Sequence, residues 1–170
     1  MKILSIIISS ILLFEGVSEK VVKKADKAIS IFFNTENITK KIISLDNYSK
    51  LKGTDTEQKT VMQLTDKNNK NLGFAVLSKG KGRFDDFDFI VIYNNNLVVK
   101  KVKVLKYTSS RGAEICSNNW LKQFVNNSQK HEYGKNIDAL SGATISAQSI
   151  VNEINLINKI MSTLKSEKAI

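Results

Sequence analysis

At 170 residues with a formal net charge of +10, the chain is long enough for one domain with a sizeable buried core. Its single cysteine, Cys116, excludes an internal disulfide and any cysteine-based metal or haem site. The lysines are spread through most segments and interleaved with asparagine rather than gathered with aromatics, which is the pattern of a solvated surface. Nucleic acid is therefore not an expected partner, whereas anionic lipid headgroups or acidic proteins are compatible with the charge.

Lys2 precedes an apolar run from Ile3 to Phe14, and Gly16 and Ser18 supply small residues before Glu19. Residues 1–18 read as a secretory signal peptide, leaving 19–170 as the domain in an extracytoplasmic setting, periplasmic or at the cell envelope. The run is short for a membrane span. An uncleaved anchor is the alternative, and with no cysteine after the run a lipoprotein is not indicated. The segment carries one lysine and one glutamate, so the whole net charge stays with the domain.

Val21, Val22, Ala25, Ala28, Ile29 and Phe32 recur at helical spacing and predict an amphipathic helix ending near Asn34. Residues 38–45 and 60–65 follow as strands, separated by a polar stretch containing Gly53, and Asp66 to Lys70 reads as a turn. Three stronger strands come next, at 72–77, 87–93 and 97–105. Phe87, Phe89, Val91 and Tyr93 share one face and Ile90 and Ile92 the other, the pattern of a central strand covered on both sides. Gly80 and Gly82 are expected in a lysine-rich connecting loop, which lacks the spacing of a nucleotide-phosphate loop. Asn94 to Asn96 are expected to make the next hairpin turn through asparagine's tolerance of positive φ.

After a loop from Tyr107 to Glu114, a short helix over 118–125 carries Trp120 and Phe124 on one face, a pair that reads as core. Cys116, near its start, reads as a lowered-pKa thiol or, more commonly, as a buried small hydrophobe. Ser141, His131 and Asp138 can be written as a hydrolytic triad, but no Gly-x-Ser-x-Gly elbow supports one. The last helix spans about 145–164, with Ile150, Ile154, Ile157, Met161 and Leu164 on its apolar face. The elements together predict an α+β fold: a single domain in which an antiparallel meander packs with N-terminal and C-terminal helices.

The segment Asp138-Ala139-Leu140-Ser141-Gly142-Ala143-Thr144-Ile145-Ser146 places a hydroxyl-bearing turn directly before that helix. A helix N-terminus presents unpaired N–H donors and partial positive charge, worth about 1 kcal/mol to a phosphate at Thr144. Taken alone, Ser and Thr are ordinary helix caps and Gly is ordinary in a turn.

The segment resembles the flavinylation motif of the FMN-binding domain family: an acidic residue, two variable positions, Ser or Thr, Gly or Ala, Ala, then the acceptor Thr. That family includes the C subunit of the sodium-pumping NADH:quinone oxidoreductase and the G subunit of Rnf complexes. The resemblance extends over about residues 72–161, through Gly73-Phe74, the Asn94 to Asn96 hairpin, the loop Tyr107 to Gly112 and the Trp120/Phe124 pair. In the loop Thr108 and Gly112 match the family, while Tyr107 stands for Glu, Ser109 for Pro and Arg111 for Leu.

The resemblance implies FMN joined through its phosphate to Thr144, with Asp138, Ser141, Gly142 and Ala143 forming the acceptor turn. Thr108, Ser109 and the backbone around Gly112 would lie near the flavin ring. Arg111 and Glu114 read either as a surface pair or as flavin-facing groups. The implied partners are a flavin transferase using FAD as donor and membrane redox proteins, and the implied role is an exported electron-transfer flavoprotein. Covalent attachment suits an exported carrier, because a reversible cofactor is lost where free flavin is scarce. No nicotinamide-binding fingerprint is present, so direct oxidation of NADH is not expected. Two other readings stay open: a flavin-free basic adaptor binding a partner or an anionic membrane surface, and a noncovalent flavin reductase.

Overall fold

Alternating apolar residues along five extended segments build a sheet in which each strand pairs antiparallel with the next, in the order β1-β2-β3-β4-β5. The computed structural model describes residues 17–170 apart from Ser110 and Ser128, so nearly all of the signal segment lies outside the described residues. The strands are β1 (Ile38–Ile43), β2 (Thr60–Asp66), β3 (Asn71–Lys81), β4 (Asp86–Tyr93) and β5 (Val99–Lys106). Helix α1 (Glu19–Phe33) precedes them, and α2 (Asn118–Leu121) and α3 (Thr144–Ser166) follow. This is the expected α+β meander with a helix on each face.

The two faces of β4 feed two separate cores. Ile90 and Ile92 pack with Met62, Leu64, Ala75, Leu77 and Leu105 beneath Val21, Ala25, Ala28 and Ile29 of α1. Phe87, Phe89, Val91 and Tyr93 face the other way, against Ile150, Ile154, Ile157, Met161 and Leu164 of α3. At roughly 25 cal/mol per Å² of apolar surface, burying such side chains stabilises each helix on the sheet far more than its own propensity does. Polar ties fix the position of α3: Tyr93 Oη donates to Asn158 Oδ1 (2.7 Å), and the almost fully buried Lys59 pairs with Glu153 (3.0 Å).

Several expectations are corrected. Phe32 is not part of the buried face of α1; it is 38% exposed and meets Phe33 edge-on. The turn after β4 has positive φ at Leu97 rather than at an asparagine. Asn94 contributes instead as an acceptor, its Oδ1 taking the N–H groups of Asn96 (3.1 Å) and Val98 (2.9 Å), an Asx-type turn. The segment 118–125 is α2 followed by a 3-10 turn, Lys122–Phe124.

Gly80 lies within β3 rather than in a loop, opposite Phe87. A Cβ there would sit 2.3 Å from the Phe87 ring, so the ring occupies the space a side chain would need. The last β2–β3 pair is Thr60↔Leu77, while β3 and β4 stay paired out to Lys81↔Asp86. The β3–β4 hairpin therefore runs beyond β2 as an arm, and it closes with Gly82 N–H donating to the Asp85 carbonyl (3.1 Å).

Candidate functional site

Helix α3 begins at Thr144, with Ala143 as its N-cap and no side chain capping the first turn. Neither Ser141 nor Thr144 therefore acts as the ordinary hydroxyl cap. Gly142 turns the chain into the helix at φ +77° with nothing within 4 Å of the position of a Cβ. Thr144 and Ile145 are exposed at the helix start, while Ser146 and Ala147 turn inward. The donors of the first turn are left facing a cleft, the arrangement that favours an anion.

That cleft has a volume of about 270 Å³ and is lined by Gly142, Ala143, Thr144, Ile145 and Ser146 from α3 and its entry turn. Tyr107, Ser109 and Arg111 line it from the loop after β5, and Arg83 and Phe84 from the β3–β4 hairpin. An adjoining space of about 480 Å³ shares Arg83, Phe84, Ser109 and Arg111 and adds Asp85.

Hydrogen bonds hold these three segments together. Lys81 N–H donates to Ser149 Oγ on α3 (2.7 Å), and Thr108 Oγ1 donates to Asp85 Oδ2 (3.3 Å). Tyr107 Oη donates to the Arg111 carbonyl (2.7 Å) and shares a hydrogen bond with Ser146 Oγ (3.2 Å). Tyr107, which departs from the family pattern, thus closes its own loop and latches it to the first turn of α3. Gly112 is buried against this latch; a Cβ there would meet Tyr107 Oη at 2.7 Å and Ala143 Cβ at 3.3 Å.

Of the residues singled out from sequence, Thr144, Gly142 and Ala143 line the cleft. Ser141 and Asp138 are exposed and do not line it; Thr108, also exposed, bonds the loop to Asp85, and Gly112 is buried beside Tyr107 and Ala143. Asp138 is held through its backbone, its N–H donating to Gln123 Oε1 (2.9 Å) and its carbonyl accepting from Trp120 Nε1 (2.9 Å). Trp120 and Phe124 are core, as read, with ring centroids 5.4 Å apart. Arg111 lines the cleft and makes no ion pair with Glu114 among the described residues. Cys116 is exposed, and partial desolvation pushes its thiol up rather than down.

The triad does not form. His131 is buried against Phe124, with ring centroids 5.1 Å apart, and neither ring nitrogen has a partner among the described residues. Burial holds its pKa below the ordinary value, while Ser141 and Asp138 face solvent.

Arg83 and Phe84 were not singled out from sequence. The signal available was compositional: Arg83 and Arg111 are the two arginines among 26 basic residues, and both line one cleft.

The cleft fits a flavin mononucleotide. It offers uncapped helix donors for a phosphate, exposed Phe84 and Ile145 for an apolar ring, two guanidinium groups along its wall, and open space above Gly142. Residues 82–157 match the family described as the FMN-binding domain, and the matched span covers the hairpin tip, the loop and the acceptor turn. Among solved structures, NqrC of Shewanella oneidensis is similar in fold, with a TM-score of 0.57, 15% identity and coverage of 89% of this chain and 95% of that chain. No curated protein matches the sequence.

Proposed function

We propose that this protein is an exported electron carrier in which FMN is attached through its phosphate to the hydroxyl of Thr144. The observation that carries the reading is the position of Thr144: exposed, first in α3, free of any capping role, and in the mouth of the cleft. In the attachment step Thr144 Oγ1 bonds to the FMN-side phosphorus of FAD and the pyrophosphate P–O bond breaks. AMP leaves with that electron pair, and the hydroxyl proton passes to solvent or to a base of the flavin transferase. The exposed Asp138 and Ser141 lie outside the cleft, which suits contact with that transferase better than contact with the flavin.

The remaining phosphate charge is offset by the first-turn N–H groups and dipole of α3, by about 1 kcal/mol. Gly142 and Ala143 leave the phosphate room, and the Tyr107 latch holds the loop against the tether. Bound FMN supplies the one- and two-electron chemistry that no side chain here can. Membrane redox proteins are the proposed electron partners, and the cell envelope the proposed location. Among the described residues no helix is long and apolar enough to cross a membrane.

Mass spectrometry of protein co-expressed with a flavin transferase tests the reading. The expected result is an FMN phosphoryl adduct on the peptide containing Thr144, absent from Thr144→Val, which keeps the shape and deletes the hydroxyl. An unmodified Thr144 peptide, with flavin absent or released on denaturation, would overturn it in favour of the adaptor or the noncovalent reductase.

A further inference from the structure

The tip of the β3–β4 hairpin has no structural reason to be aromatic. Phe84 is 77% exposed, the most exposed large hydrophobic among the described residues, and it borders the same cleft as Thr144. Arg83 places its guanidinium 5.5 Å from the centre of the Phe84 ring. The chain uses lysine at 24 of its 26 basic positions and brings both arginines to this cleft. Arginine is planar, weakly hydrated and able to stack, whereas lysine is a strongly hydrated point charge.

The hairpin is not a free flap. Lys81 is bonded to Ser149 and Asp85 to Thr108, so the tip is fixed relative to both Thr144 and the loop from Tyr107 to Gly112. The inner space beside Thr144 continues into the larger outer space between Phe84 and Arg111. The outer space is therefore open to the ring system of a cofactor whose phosphate is held in the inner one.

Building on the FMN tether at Thr144, we propose that the hairpin tip is the outer wall of the cofactor cleft. Phe84 stacks on the isoalloxazine of the attached flavin, Arg83 backs the far side of the phenyl ring, and Arg111 flanks the flavin from the loop. The tip is then a determinant of how far the flavin is shielded from solvent, separate from the residues that attach it.

The test is acrylamide quenching of flavin fluorescence in flavinylated protein, with the adduct verified by mass. Phe84→Ala is expected to raise the quenching constant about twofold or more, and Phe84→Tyr to leave it near the parent value, because stacking needs the ring. Arg83→Gln and Arg83→Lys are both expected to raise it, since lysine restores charge but not the plane. Phe32→Ala, removing an exposed aromatic of α1, is the control and should change nothing.

Equal quenching constants for the parent and Phe84→Ala would overturn the hairpin wall while leaving the tether intact. An Arg83→Lys protein as shielded as the parent would overturn the backing role of Arg83. If Phe84→Ala takes up no flavin, a flavinylated and shielded Phe84→Tyr supports the stack, and failure of both variants to load overturns it. A parent chain without adduct at Thr144 removes the tether, and this inference with it.

Discussion

Two glycines flanking Thr144 allow backbone strain and steric conflict to be separated by measurement. Gly112 and Gly142 have nearly the same φ, +81° and +77°, but only Gly112 has neighbours at the position of a Cβ. Alanine in the left-handed region costs roughly 1–2 kcal/mol, partly offset by about 0.4–1 kcal/mol from the stiffer unfolded chain. Gly142→Ala should therefore lose about 0–1.6 kcal/mol. Gly112→Ala meets Tyr107 Oη at 2.7 Å, and that hydroxyl cannot swing away without giving up Arg111 and Ser146. Two hydrogen bonds at about 0.5–1.5 kcal/mol each bring its cost to roughly 2–4 kcal/mol.

In melting temperature that difference is about 2–4 °C per kcal/mol for a domain of this size. Thermal unfolding followed by circular dichroism reads both variants, and a cycle with Tyr107→Phe isolates the clash. With the hydroxyl removed, the cost of Gly112→Ala should fall towards that of Gly142→Ala, leaving only the 3.3 Å approach to Ala143 Cβ. An equal cost for Gly112→Ala with and without the Tyr107 hydroxyl would refute the steric account.

Thr144→Val should change unfolding free energy by no more than about 0.5 kcal/mol, because an exposed hydroxyl that caps nothing contributes little; a loss above about 1 kcal/mol in urea unfolding would show a structural role. Ile154→Ala, at a fully buried position of α3, should cost about 2–5 kcal/mol by the same assay. A value near zero would place α3 off the sheet. Burial keeps the folded pKa of His131 below 6.5, so between that lowered value and 6.5 the unfolded chain binds a proton that the folded chain refuses. Its contribution is complete above pH 6.5 and is lost as the pH falls through that window. Urea midpoints at pH 7 and pH 5 should differ more in the parent than in His131→Leu, and equal differences would exclude His131 as the cause.

The elements were legible wherever one period dominated the sequence. The 2.0 period from Phe87 to Tyr93 and the i, i+4, i+7 pattern from Ile150 to Leu164 identified the two surfaces that build the larger core. Local pattern could not show how far the β3–β4 pairing runs. Gly80 looks like a loop residue until Phe87 is seen lying across it. Leu97 at φ +61° was likewise hidden, because the Asn94 side chain, not an asparagine backbone, organises that turn. At the site, Thr144 was read from a contiguous motif. The contributions of Arg83, Phe84 and the Tyr107 latch depend on segments distant in sequence meeting at α3, which no local spacing encodes.

The arm formed by β3 and β4 past the end of β2 has a practical consequence for evolution and engineering. Residues 82–85 can be exchanged, lengthened or shortened without sliding any of the other strand registers, since those are set nearer the middle of the sheet. Two properties that many proteins must balance against each other, an invariant scaffold and an adjustable rim, are here assigned to different stretches of one hairpin.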